Sequence, residues 1–158
     1  DNILKLYDFA RALQRSARMV VWPDFSRSFL ESEIMEGRQW KLLYNHTIAC
    51  NWTVAYEDKE IWETRDQGNA VYIHRIATHP DYRGKRFIDN LVEWAKQHAI
   101  EKQRKFVRLD TLGNNTRLIE HYISAGFSFL GMNTLTNTSA LPLHYQLEPR
   151  CCLFEISL

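Results

Sequence analysis

The sequence predicts one mixed α/β domain, a mostly antiparallel mixed sheet carrying helices on both faces. Three observations support this. Strand-like and helix-like segments alternate through the second half of the chain, two hairpin-forming strands lie in the first half, and 158 residues are enough for one core without staples. A hydrophobic fraction of 45% and a charged fraction of 25% are ordinary for a globular protein.

Ile3, Leu6, Tyr7, Ala10, Leu13 and Ala17 recur at helical spacing behind Asp1 or Asn2 as cap, which gives a first helix. After Trp22-Pro23-Asp24 a second helix is expected over about Phe25 to Glu36, opened by a Ser28/Glu31 capping box and stopped at Gly37. Trp40 to Tyr44 and Thr47 to Tyr56 are strand formers around Asn45-His46, and read as a hairpin. Glu57 to Asn69 sets Glu57, Asp58, Glu60, Glu63 and Asp66 against Lys59 and Arg65. It reads as a solvated loop whose Trp62 packs back onto the domain.

Ala70 to Thr78 is the central strand, with Tyr72 and His74 on one face and Ile73 and Arg75 on the other. Past Pro80 a basic turn (Arg83, Gly84, Lys85, Arg86) leads into a helix with Phe87, Ile88, Leu91, Val92, Ala95 and Ala99 on one face. Lys105 to Thr111 is a strand, and Gly113-Asn114-Asn115 turns into a helix bearing Leu118, Ile119, Tyr122 and Ile123 that Gly126 ends. Phe127 to Met132 is a strand, Asn133 to Pro142 a polar loop, and Cys151 to Ser157 the closing strand.

Twenty basic and nineteen acidic residues nearly cancel, which argues against a protein built to hold nucleic acid. The positive excess is local: Arg75 to Lys105 holds eight Lys/Arg against four Asp/Glu, while Asp1 to Ala70 holds nine against eleven. Cys50, Cys151 and Cys152 form neither a disulfide framework nor a paired zinc spacing, so buried thiols are expected. The six histidines show no two-on-one-face pattern with a carboxylate, and no metal is expected. With no run of membrane-span length and no secretory segment read at its start, the chain is expected to be cytoplasmic and away from membranes.

The basic turn is the first candidate site, because unpaired helix-start amides and several cations face one space there, which suits a phosphate. Taken with Asn115 to Phe127 (NTRLIEHYISAGF) and the strand after it, the turn resembles the GNAT superfamily of acyl-CoA N-acyltransferases across roughly half the chain. The resemblance implies a splay between the two central strands with acyl-CoA in the gap. It also implies a strand ahead of the first helix, for which this sequence shows no residues.

On that resemblance acetyl-CoA is the acyl donor. Arg83, Gly84, Lys85, Arg86, Phe87 and Ile88 hold its pyrophosphate, the edge at Ile76, Ala77 and Thr78 its pantetheine, and Asn115 a polar group of either. The family turn runs Arg or Gln, two residues, Gly, one residue, then Gly or Ala; here Arg86 and Ile88 stand at the small positions. The amides of Gly84 to Ile88 are expected to remain free, with Arg86 either outward or on the phosphate.

Tyr122 lies seven residues past Asn115, about two turns or ~10 Å along the helix; on spacing alone it reads as a core residue, and the resemblance implies that it serves as acid for the leaving thiolate. His74 is the first candidate for the base that frees the amine, with Tyr72 and the acidic-loop glutamates as competitors. Trp22, Tyr72, His74, His144 and Tyr145 are expected around the acceptor; ordinary packing is the competing reading for Trp22, His144 and Tyr145. The function expected is acetyl transfer from acetyl-CoA to a primary amine by direct attack. The alternative is a non-catalytic acyl-CoA-binding or partner-binding module on the same fold. Homodimers are frequent among similar proteins, but no heptad or apolar stripe specifies one.

Overall fold

Six strands form one sheet in the order β1-β2-β3-β4-β6-β5, described by a computed structural model over residues 1–158. The strands are β1 (Gln39–Tyr44), β2 (Thr47–Ala55), β3 (Ala70–Thr78), β4 (Phe106–Leu112), β5 (Ser128–Thr134) and β6 (Arg150–Ser157). The helices are α1 (Asn2–Ser16), α2 (Arg27–Met35), the short α3 (Lys59–Trp62), α4 (Phe87–Glu101), α5 (Thr116–Ser124) and the short α6 (Leu143–Leu147). Every neighbouring pair is antiparallel except β3 and β4. No helix is long and apolar enough to cross a membrane.

Strand alternation decides what each face buries. Val71, Ile73, Val107 and Leu109 point toward Leu91, Val92 and Ala95 of α4 and Tyr122 of α5. On the opposite face Ala77 packs with Leu6, Tyr7 and Leu30 of α1 and α2. Ala70 and Tyr72 pack there with Ile61, Trp62 and Leu153. Cys50, Cys151 and Cys152 are buried free thiols.

The parallel contact between β3 and β4 lasts only from Ala70/Phe106 to Tyr72/Arg108. Beyond it β3 keeps β2 as partner and β4 keeps β6, so the sheet splits along its centre. Backbone groups on the facing edges lose their strand partners there, and such groups need another acceptor or donor.

Local chemistry accounts for the boundaries and for three departures from expectation. Asn45 and His46 both take positive φ (48° and 61°), the left-handed pair that a two-residue hairpin requires. The cap of α2 is Ser26, not Ser28: its hydroxyl accepts the Phe29 amide at 3.2 Å, while Glu31 is drawn to Arg27 at 2.8 Å. The acidic stretch is not simply solvated, because Asp58 is buried and α3 drives Ile61 and Trp62 into the core. Trp62 lies beside Tyr72 and under the Arg108 guanidinium, 4.7 Å from its ring.

The third departure concerns Arg75. Two residues of β3 oppose one of β2 between the Asn51/Ala77 and Thr53/His74 pairs, and Arg75 takes φ 51° at this bulge. The bulge turns Arg75 onto the same face as His74 instead of the opposite one. Its guanidinium meets Glu33 of α2 and Thr53 (3.0 Å) and lies 5.1 Å from the rings of both Phe25 and Phe29.

Glu33 is 1% exposed, and it also receives Arg38 (3.2 Å) and Gln39 (2.9 Å). Removing one partner of a buried ion pair leaves the other charge uncompensated. Glu33→Ala is therefore expected to destabilise the fold by about 3 kcal/mol, read as a lower denaturant midpoint in equilibrium unfolding.

Candidate active site

Pro80–Tyr82 makes one tight turn, and the chain enters α4 through Arg83 to Arg86 with Gly84 at φ 84° and Arg86 at φ 55°. Arg86 thus adopts left-handed backbone at the helix cap, the conformation that favours glycine. The amides of Gly84, Arg86, Phe87 and Ile88 make no backbone hydrogen bond, but that of Lys85 donates to the Tyr82 carbonyl at 3.2 Å. The expectation that all five remain free is corrected at Lys85.

The two bulky residues of the turn point away from it. Arg86 forks onto both carboxylate oxygens of Asp89 at 2.8 Å and reaches the Ser124 hydroxyl and carbonyl at the end of α5. Ile88 is 6% exposed and belongs to the core under α4. Arg83 and Lys85 are exposed cations, Lys85 with its ammonium 5.3 Å from the Tyr44 ring. Amides and cations therefore share the turn without obstruction from Arg86 or Ile88.

Along the split, Ile76, Ala77 and Thr78 belong to the β3 stretch that has no β4 partner. Thr78 reaches the Cys50 sulfur at 3.6 Å. Across the gap Asn115 caps α5 by accepting the Leu118 amide at 3.1 Å, leaving its side-chain NH2 with only the Met19 sulfur at 3.7 Å. Tyr122 is 8% exposed between Phe127 and Phe154. Burial pushes its phenol well above its ordinary range, and the Cys50 and Asp110 charges add to this, so the hydroxyl stays protonated.

The face of the sheet under α3 and α6 holds a group of titratable side chains around His74. Its Nε2 lies 3.3 Å from Asp58 and its Nδ1 3.8 Å from Asp110, while the Tyr145 hydroxyl donates to Asp110 at 2.9 Å. Burial alone would lower the His74 pKa, but the carboxylate of Asp58 at its edge and the charge of Asp110 outweigh it and the imidazole is raised. Burial and then the Asp58 charge lift Asp110 to about 6, against the opposing pull of His74 and Tyr145.

His144 is buried beside the Tyr145 ring (4.6 Å) with an unpartnered Nδ1, and burial and then the Arg75 charge bring it down to about 4. Of the other expected acceptor residues, Tyr72 is fully buried with its hydroxyl taken by Arg108 at 3.2 Å, so it does not face an open space. Trp22 packs with Tyr7 and Phe25 on the α1 side.

Sequence reading missed Asp58 and Asp110. A signal for Asp110 was present: with Val107 and Leu109 turned to the α4 face, alternation puts Arg108 and Asp110 on the His74 face. Asp58 gave no comparable signal, since its burial depends on α3.

With this geometry in place, comparisons define the family. The model of the Acetyltransferase (GNAT) family matches residues 19–127, more than half of the chain. The chain is 28% identical over 76 residues to the uncharacterized N-acetyltransferase YesJ of Bacillus subtilis strain 168. That match covers 47% of this chain and 41% of YesJ, so the chain spans about two fifths of that relative's length. A GNAT family acetyltransferase from Listeria monocytogenes superposes with TM-score 0.74 at 20% identity, covering 99% of this chain and 87% of that one. A GNAT family acetyltransferase from Elizabethkingia anophelis, solved with acetyl-CoA bound, gives TM-score 0.60 at 17% identity, with 84% of each chain covered. The split six-stranded sheet and the extent of the family match together place this chain in the acetyltransferase (GNAT) family.

Proposed function

We propose that this protein transfers the acetyl group of acetyl-CoA to an amine by direct attack, without a covalent enzyme intermediate. The observation that carries the reading is the sheet split itself. It has a raised, carboxylate-flanked histidine on one side and a protonated tyrosine on the other, and a phosphate-ready turn at the end of β3.

The coenzyme pyrophosphate meets the free amides of Gly84, Arg86, Phe87 and Ile88, with Arg83 and Lys85 as cations. Its pantetheine arm takes up the unpaired β3 edge at Ile76 to Thr78, while Asn115 offers its side-chain NH2 from α5. Arg86 contributes its amide, not its guanidinium, which Asp89 and Ser124 already hold.

A protonated amine has no lone pair to attack with, so a proton must first leave it. His74 accepts that proton, and Asp58 and Asp110 stabilise the imidazolium that results. The amine nitrogen then bonds to the thioester carbon, and an amide of β3 near Ile76 meets the oxyanion. As the carbon–sulfur bond breaks, the Tyr122 hydroxyl passes its proton to the departing thiolate and takes up the second proton that the nitrogen gives up in becoming an amide, so the phenol ends neutral. Acidic residues of the 57–66 stretch attract a cationic acceptor. Three free buried thiols suit a reducing compartment and support a cytoplasmic location.

Calorimetric titration with acetyl-CoA and with a CoA fragment lacking the pyrophosphate tests the turn directly. Micromolar binding of the first and loss with the second is expected, and no binding of either would end the reading. A non-catalytic binder has no need of the phenol. Tyr122→Phe should lower kcat about 100-fold with acetyl-CoA affinity unchanged, and equal turnover would favour the binding-module alternative.

Because a base must be neutral to act, kcat/KM is expected to rise with pH through the His74 titration, above the ordinary imidazole value. Asp58→Asn removes a cause of the raised pKa, so the rising limb should shift to lower pH. An unshifted limb would assign the base elsewhere, such as to a glutamate of the acidic stretch.

A further inference from the structure

We propose that Arg75 selects the acceptor by binding a carboxylate that the amine also carries, so that the substrate class is an amino acid or a similar zwitterion. The inference rests on the acetyltransfer reading and names the acceptor class for it.

The backbone is the first reason. Strict alternation would turn Arg75 away from His74, but the bulge between the Asn51/Ala77 and Thr53/His74 pairs puts two consecutive side chains on one face. The cost is φ 51°, left-handed backbone at a residue other than glycine. Backbone strain of this kind clusters at functional sites. Here it sets a guanidinium beside the imidazole that takes the ammonium proton.

The state of the guanidinium is the second. Only its Nη2 is engaged, by Glu33 and by Thr53 at 3.0 Å; Nε is buried without a partner, and Nη1 makes no hydrogen bond. The Arg75 side chain is 18% exposed and that of His74 22%, so both remain open to a ligand on that face. The rings of Phe25 and Phe29, each 5.1 Å away, hold the guanidinium in place while Nη1 stays available.

Charge is the third. Glu33 does not belong to Arg75 alone, because Arg38 shares the same carboxylate oxygen at 3.2 Å. The positive charge of Arg75 reaches His74, and it reaches His144 of α6, which burial and that charge keep neutral. His144 therefore adds a hydrogen-bonding ring without an opposing charge. Asp58 and Asp110 provide the negative side for an ammonium, and Arg75 the positive side for a carboxylate. A zwitterion matches both.

The test measures CoA release from acetyl-CoA by the full chain with amino acids, each set beside its amide and its decarboxylated amine. The amide carries the less basic amine, and is the better acceptor wherever a carboxylate goes unrecognised. The unaltered protein is expected to favour the amino acid over both counterparts by about tenfold in kcat/KM, chiefly through KM. A double variant, Glu33→Gln with Arg75→Gln, removes both charges of the pair together, and Arg38 keeps Glu36 at 2.6 Å. Its preference for the carboxylate should vanish, a ratio that a merely less stable fold does not move. Equal or better use of the carboxylate-free amines by the unaltered protein overturns the inference and leaves acetyl transfer standing. An unchanged ratio in the folded double variant overturns it as well. Turnover of none of the amino acids does the same, and CoA release with the carboxylate-free amines then tells whether acetyl transfer falls with it. The unaltered protein decides even if the double variant does not fold.

Discussion

Strand pairing that stops after three residues governs much of this molecule. Were β3 and β4 to stay in register past Tyr72 and Arg108, their facing backbone groups would satisfy one another and the sheet would close. Instead each strand stays paired on its outer side. The Arg75 bulge bends β3, and the Arg75–Glu33 pair fastens that bend to α2 under two phenylalanine rings. The gap is therefore stabilised by packing and charge at a distance from the atoms that line it.

Electrostatics divide the gap into unlike halves. At the α4 end, amides and exposed cations present positive potential to solvent, where a dianionic group gains most. On the α3 and α6 side, two carboxylates face a histidine in a buried setting where each charge alters the others. Tyr122 stands between these regions and, being buried among aromatic rings, remains a donor at any physiological pH. The two regions thus carry opposite polarity.

Much of the architecture was legible from periodicity and turn chemistry. β3 begins and ends where its β-branched run does, the Asn45-His46 hairpin follows from two residues that tolerate left-handed backbone, and Asn115 caps α5 as its position implies. The Ser26 cap was missed because two serines compete within one turn and only the hydrogen bond separates them. Arg75 was placed on the wrong face because strict alternation has no means of counting a bulge. Asp58 and Asp110 belong to segments far apart in sequence, and their meeting at His74 is a product of the split sheet.

The left-handed cap at Arg86 has a thermodynamic side. A glycine-rich turn is free to roam before a ligand arrives and loses that freedom on binding. Here the Arg86 side chain ties the turn to Asp89 on its own helix and to Ser124 at the end of α5. That ligature spans the two helices on either side of the gap. The ordering cost of the turn therefore falls largely on folding, and the start of α4 is tied to the end of α5 through one arginine.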